Sequence, residues 1–152
     1  MKNFKQVKDV LDFGKELHAQ ITAYYERVRE QSDQSRVQML LDYLSRHGHN
    51  IEQALDRFEH DAQKAVLNTW LQYAPSAELD QVLKGCAVRP DMSVDELIKI
   101  AVDFDNAMID LYREAAREVD EPVAREALEN LIAMEDGEKR LTVYNAMMLR
   151  EM

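Results

Sequence analysis

The sequence predicts an all-α protein: an up-down four-helix bundle of two helical hairpins, with a long crossover containing a short helix. Three observations point there. Glycine (4) and proline (3) are scarce among 152 residues and no proline precedes Pro75, so the chain has few places to turn and must run in long helices. Apolar residues recur at the three- and four-residue spacing of a helix face. The pattern also repeats on shifting the chain by 87 residues, which brings Tyr25 onto Tyr112, Asp33 onto Asp120, Leu41 onto Leu128 and Leu44 onto Leu131.

The first helix is predicted over residues 5–30, on a stripe of Val7, Val10, Leu11, Leu17, Ile21, Tyr25 and Val28. The polar run 31–34 supplies a turn, with Ser32 or Asp33 as the next N-cap. A second stripe, from Val37 through Leu44, Ile51, Leu55 and Phe58 to Trp70 and Tyr73, ends at Pro75 and completes hairpin one (5–74). At 1.5 Å per residue an unbroken helix from Asp33 to Ala74 would be about 60 Å long, against about 40 Å for helix 1. Either the chain breaks near Gln63, or the overhang packs against residues 76–90 and a second subunit. The second option is the expectation, giving a homodimer whose interface includes Val66, Trp70 and Tyr73.

The crossover (75–92) is predicted to hold a short helix from Ser76 to Leu83, closed by Gly85, before Arg89-Pro90-Asp91 breaks the chain. Ser93-Val94-Asp95-Glu96 reads as a capping box that opens helix 3, Val94 to about Val119. Asp120-Glu121-Pro122 forms a turn with a capping aspartate and an early-helix proline, and helix 4 completes hairpin two (93–150). Residues 1–152 read as one domain.

Composition narrows the function classes. A net charge of −10, spread along the chain without a basic patch, repels phosphate backbones and argues against nucleic acid as a partner. Apolar runs are far too short for a membrane span, and Met1 to Lys5 lack the features of a secretory signal. The single cysteine, Cys86, forms no CxxC motif and no internal disulfide, so a cytoplasmic location is expected. Its neighbours in sequence include no histidine to activate it, and His60 lies in an acidic, solvated stretch.

The informative residues are polar ones on the apolar stripes. His18 lies between Leu17 and Ile21 on helix 1, and Asp105 is its equivalent on helix 3. Glu135 and Glu138 lie between Leu131 and Thr142 on helix 4; their helix 2 equivalents are Gly48 and Ile51. Unpaired buried carboxylates cost several kcal/mol each, so such a cluster must bind a cation, share protons or reach water. His47, beside the inward face of helix 2, would join it by leaning inward, whereas His49 should point outward.

In these residues the chain resembles the rubrerythrins and other ferritin-like di-metal proteins. That family places a glutamate on each of two helices and a Glu-x-x-His pair on each of the others, often with an aromatic seven residues after the lone glutamate. Asp105 with Tyr112, and His18 with Tyr25, match the aromatic spacing; Glu135-Asp136-Gly137-Glu138 matches the paired motif with Glu138 in the histidine's place. The resemblance implies a metal set of Glu135, Glu138, Asp105 and His18, joined by His47 if that residue leans inward. Tyr25 and Tyr112 would stand behind it, and iron or manganese would be the cofactor if one is bound. The first hairpin departs from the pattern at His18, Gly48 and Ile51, which implies a degenerate site. Two readings follow. One is a non-catalytic bundle with a structural, ligand-binding or partner-binding role. The other is a metalloprotein acting on oxygen or peroxide.

Overall fold

The structure, a computed structural model, describes residues 5–72, 84 and 87–151. Helix α1 spans Val7–Gln31, α2 Ser35–Asp61, α3 Lys64–Leu67, α4 Val94–Arg117 and α5 Pro122–Glu151. The short helix expected over 76–83, and with it Tyr73, Gly85 and Cys86, lies outside the described residues. Among those described, no helix is long and apolar enough to cross a membrane.

Helices α1 and α2 pack along each other as one hairpin, and α4 and α5 as the other. Between hairpins α1 meets α4 and α2 meets α5, so α1 and α5 face each other diagonally across the centre. The 87-residue period is built into the fold: Val7 and Val94 open equivalent helices, as do Ser35 and Pro122. Each inward face buries its predicted stripe, with Leu11, Leu17, Leu40, Leu55, Leu97, Met108, Leu128 and Leu131 almost fully enclosed. Arg36 reaches the Arg150 carbonyl (3.4 Å) and Arg150 pairs with Asp95 (3.4 Å). The starts of α2 and α4 and the end of α5 therefore share one end of the bundle.

Helix starts follow their local chemistry. Ser93 Oγ accepts from the Glu96 amide (3.1 Å) while the Ser93 amide donates to Glu96 Oε1 (3.4 Å), the capping box read from the sequence. At α5 the cap is Glu121, which accepts from the Ala124 amide (2.8 Å); Asp120 instead accepts from Gln72 Nε2 (3.2 Å). Neither Ser32 nor Asp33 caps α2, which begins two residues later with Gln34 as its N-cap.

The overhanging second helix is not formed. Helix α2 ends at Asp61, Ala62 and Gln63 turn extended, and the chain folds back through α3. Its next stretch straps across the bundle end: the Val7 amide donates to the Thr69 carbonyl (3.0 Å), Leu71 to Lys5 (2.9 Å) and Gln72 to Glu118 (2.9 Å). The reason is burial. Folding back places Val66 and Leu71 in the chain's own core, where burying each side chain is worth about 1.5–3 kcal/mol, without waiting for a partner. Val66 therefore offers no surface to a second subunit, while Trp70 remains 64% exposed.

Two glycines set how closely the helices approach. A Cβ on Gly14 would overlap the Tyr112 hydroxyl, and one on Gly48 would overlap Thr22 Oγ1. The Gly48→Ala variant is expected to lose about 1–3 kcal/mol to overpacking, despite a gain of roughly 0.5–1 kcal/mol in helix propensity. Adding Thr22→Ala should recover part of that loss. Urea denaturation of the two single variants and the double variant measures the coupling, and additive losses would show that Thr22 is not the obstacle.

Candidate functional site

The residues singled out by the sequence sit at mid-height in the bundle. Glu135, supplied by α5, is completely buried, and its Oε1 lies 2.9 Å from Nε2 of the buried His18 on α1. The two share a proton in a hydrogen bond that spans the diagonal of the bundle. Phe104 on α4 holds the imidazole edge-on, with ring centroids 5.1 Å apart and planes at 85°. Such T-shaped contacts orient a ring at little cost.

Asp105, the residue after Phe104, is buried at the same level. Burial first, and then the negative charge of Glu135, raises its carboxyl from an ordinary 3.8 to about 7; Glu138 adds to the rise, while His18 and Lys139 oppose it. Tyr112 is fully enclosed, and its hydroxyl is pushed well above the usual value by burial and by Glu135. The Tyr112 hydroxyl and Glu135 Oε2 find no hydrogen-bond partner among the described residues, and neither does Thr22 Oγ1.

Glu138 and His47 form a separate, outer arrangement. Three residues beyond Glu135, Glu138 is rotated off the centre of the helix face, and its side chain is 37% exposed. The expectation that it points into the core is therefore corrected. His47 does lean inward, but its Nδ1 lies 3.4 Å from Glu138 Oε2 and its Nε2 2.9 Å from Thr142 Oγ1. Burial and the neighbouring His18 lower its pKa, so the imidazole is neutral. With the proton on Nδ1, toward Glu138, Nε2 is left to accept from the Thr142 hydroxyl. Tyr43 stacks on His47 (centroids 5.9 Å apart) and accepts from Asn145 Nδ2 (3.0 Å). His49 points outward to Glu26, as the periodicity implied.

A cavity of about 20 Å³, room for roughly one water, lies between the two arrangements. His18, His47, Asp105, Thr142 and Tyr25 line it, together with Gly48 and Ile51. On the first hairpin, then, the site is closed by small and apolar groups, with the Thr22 hydroxyl packed where a side chain on Gly48 would lie. The sequence reading missed Thr22 and Gly14. A glycine in the interior of a helix was the available signal, since it costs stability unless something packs against it.

No family model matches the chain, and no curated protein matches it in sequence. Among solved structures, a Thermotoga maritima protein assigned as a ferritin-like diiron-carboxylate protein superposes with a TM-score of 0.60. The match covers 95% of this chain and 97% of that one at 16% identity. The fold is the ferritin-like all-α bundle.

Two outcomes test the geometry. Removing one partner of this buried hydrogen bond leaves the other unsatisfied, so Glu135→Ala should cost about 1–3 kcal/mol, whereas His18→Leu with Glu135→Met should be near neutral or stabilising. Urea unfolding compares them. Asp105 sets a pH dependence of its own. Because its folded pKa lies above its unfolded value, the folded state holds the extra proton between pH 3.8 and about 7. This contribution is fully present below pH 3.8 and falls away as pH rises through 7. Relative to Asp105→Asn, the wild type should lose melting temperature across that window, with Glu135, His18, Lys139 and Glu138 kept intact in both. A constant difference would mean that Asp105 ionises normally.

Proposed function

We propose that this ferritin-like bundle works without a catalytic metal centre, as a structural, ligand-binding or partner-binding protein whose degenerate carboxylate–histidine site serves as a buried polar network. The observation that carries this reading is the direct His18–Glu135 hydrogen bond. It spends on each other the two groups that a di-metal centre would spend on ions.

The donor set supports the same reading. A ferritin-like di-metal site draws a carboxylate from each of two helices and a Glu-x-x-His pair from each of the others. Here α2 supplies Gly48 and Ile51 at the paired positions, and Glu138 lies at the edge of the bundle. Among the described residues no three His, Cys, Asp or Glu side chains converge well enough to hold an ion. These residues do not fit a two-metal group. The rubrerythrin-like alternative is an iron or manganese protein acting on oxygen or peroxide, with the ion on Glu135, Asp105 and His18. What favours it is the buried Glu135 Oε2, which has no hydrogen-bond partner among the described residues and which a cation would satisfy. Against it, the imidazole and Oε1 would first have to part.

Elemental analysis of protein purified after growth with iron and manganese distinguishes the readings. The expected result is metal far below one equivalent, with no heat of binding on titrating ferrous or manganous ion. Near-stoichiometric metal that disappears in Glu135→Ala would establish the alternative instead.

A further inference from the structure

One groove on the surface carries charge of a single sign. It lies between the second half of α1 and the last part of the crossover, with Tyr24, Arg27 and Val28 on one wall and Lys84, Val88 and Arg89 on the other. Its volume is about 680 Å³, within the roughly 300–1,000 Å³ of a small-molecule site. Three cations line it, and among the described residues no carboxylate does. That runs against a chain with 29 acidic and 19 basic residues. Three other grooves mix the signs: Arg29 and Arg46 with Glu26 and Asp42, Lys8 and Lys15 with Asp56 and Glu59, and Arg117 and Arg125 with Glu129.

Two of the three cations are not spent on the protein's own acids. Arg89 is paired with Asp91 (3.3 Å) and Glu96 (3.8 Å), but Arg27 and Lys84 form no ion pair among the described residues. Arg27 instead lies over the Tyr24 ring, its guanidinium carbon 5.2 Å from the centroid. Such a contact holds the charge in place and leaves the N–H donors of the guanidinium edge unspent. Tyr24 is itself 38% exposed, so an aromatic face stands beside a fixed cation. Val88 and Pro90, both half-buried, add apolar wall opposite it.

We propose that this groove binds a small organic anion: a flat apolar body lying along Tyr24 and Val88, with its oxyanion held by Arg27 and Lys84. The inference rests on the ligand-binding role proposed above and names the class of ligand. Charge selects the occupant. A cation would be repelled, and a neutral molecule would leave both free charges uncompensated. A nucleic acid would have to lie against a chain of net charge −10. One oxyanion on a compact body takes charge-assisted hydrogen bonds from both side chains and still fits the walls.

Fluorescence titration of the full chain with anilinonaphthalene sulfonate, a flat aromatic anion, tests it against the neutral parent compound, phenylnaphthylamine. The wild type should bind one equivalent of the sulfonate and bind the neutral parent far more weakly. Arg27→Gln with Lys84→Gln should weaken the sulfonate about tenfold or more without changing the melting temperature, since both side chains are exposed. Leu141→Glu, on the exposed apolar part of α5, should leave binding unchanged. No binding, equal affinity for the neutral parent, or a loss caused by Leu141→Glu and not by the double variant would overturn the proposal. Metal content is read separately. A metal-loaded protein that binds the probe would defeat the metal-free reading alone, and a metal-free protein that does not bind it would defeat this one alone.

Discussion

His18 and Glu135 meet across the diagonal of the bundle, 2.9 Å apart and shut off from water, and much of the surrounding packing follows from that contact. A buried carboxylate needs a partner, and the nearest side neighbours of α5 do not supply one: Gly48 and Ile51 occupy the equivalent level of α2. The partner has to come from α1. A hydrogen bond tolerates little variation in length, so it fixes the distance between the two helices that do not pack side by side. Phe104 then holds the imidazole edge-on, and burial, followed by the negative charge of Glu135, raises the Asp105 carboxyl to about 7.

Around this contact the twofold pattern of the chain is kept in the backbone and broken in the side chains. Equivalent helices begin 87 residues apart, yet His18 faces Asp105 as its counterpart, and Gly48 faces Glu135. On the second hairpin the space is filled by acids. On the first it is closed by Thr22 against Gly48, and the Tyr112 hydroxyl of the second hairpin packs on Gly14 of the first. A polar network drawn mainly from one hairpin, and met at Glu135 Oε1 by a single histidine from the other, specifies how the hairpins dock more than it adds stability.

Much of this was legible in the chain before folding. His18, Asp105 and Glu135 interrupt apolar stripes, and a helix has only one face to offer the core, so their burial follows from periodicity. Glu138 was misplaced because three residues along a helix is a rotation of about 60° short of a full turn, enough to carry a long side chain to the edge. His47 leans inward for a reason outside its own helix: Thr142 and Glu138 are there to receive it. Trp70 and Val66 share one run in the sequence, but only the turn at Ala62 and Gln63 separates a buried residue from an exposed one.

By itself the sequence determined the helix periods, the capping box at Ser93, the register of the two hairpins and the level at which polar groups enter the core. These depend on residues within a few turns of one another. Tertiary structure alone decided that α2 stops at Asp61, that His18 reaches Glu135 rather than Asp105, and that Gly48 and Gly14 are contact points. Each of those depends on which atoms of a distant segment arrive in the same space. Local preference cannot choose between a long helix and a folded-back strap when both satisfy the backbone. The apolar side chains choose, by finding a core of their own chain to enter.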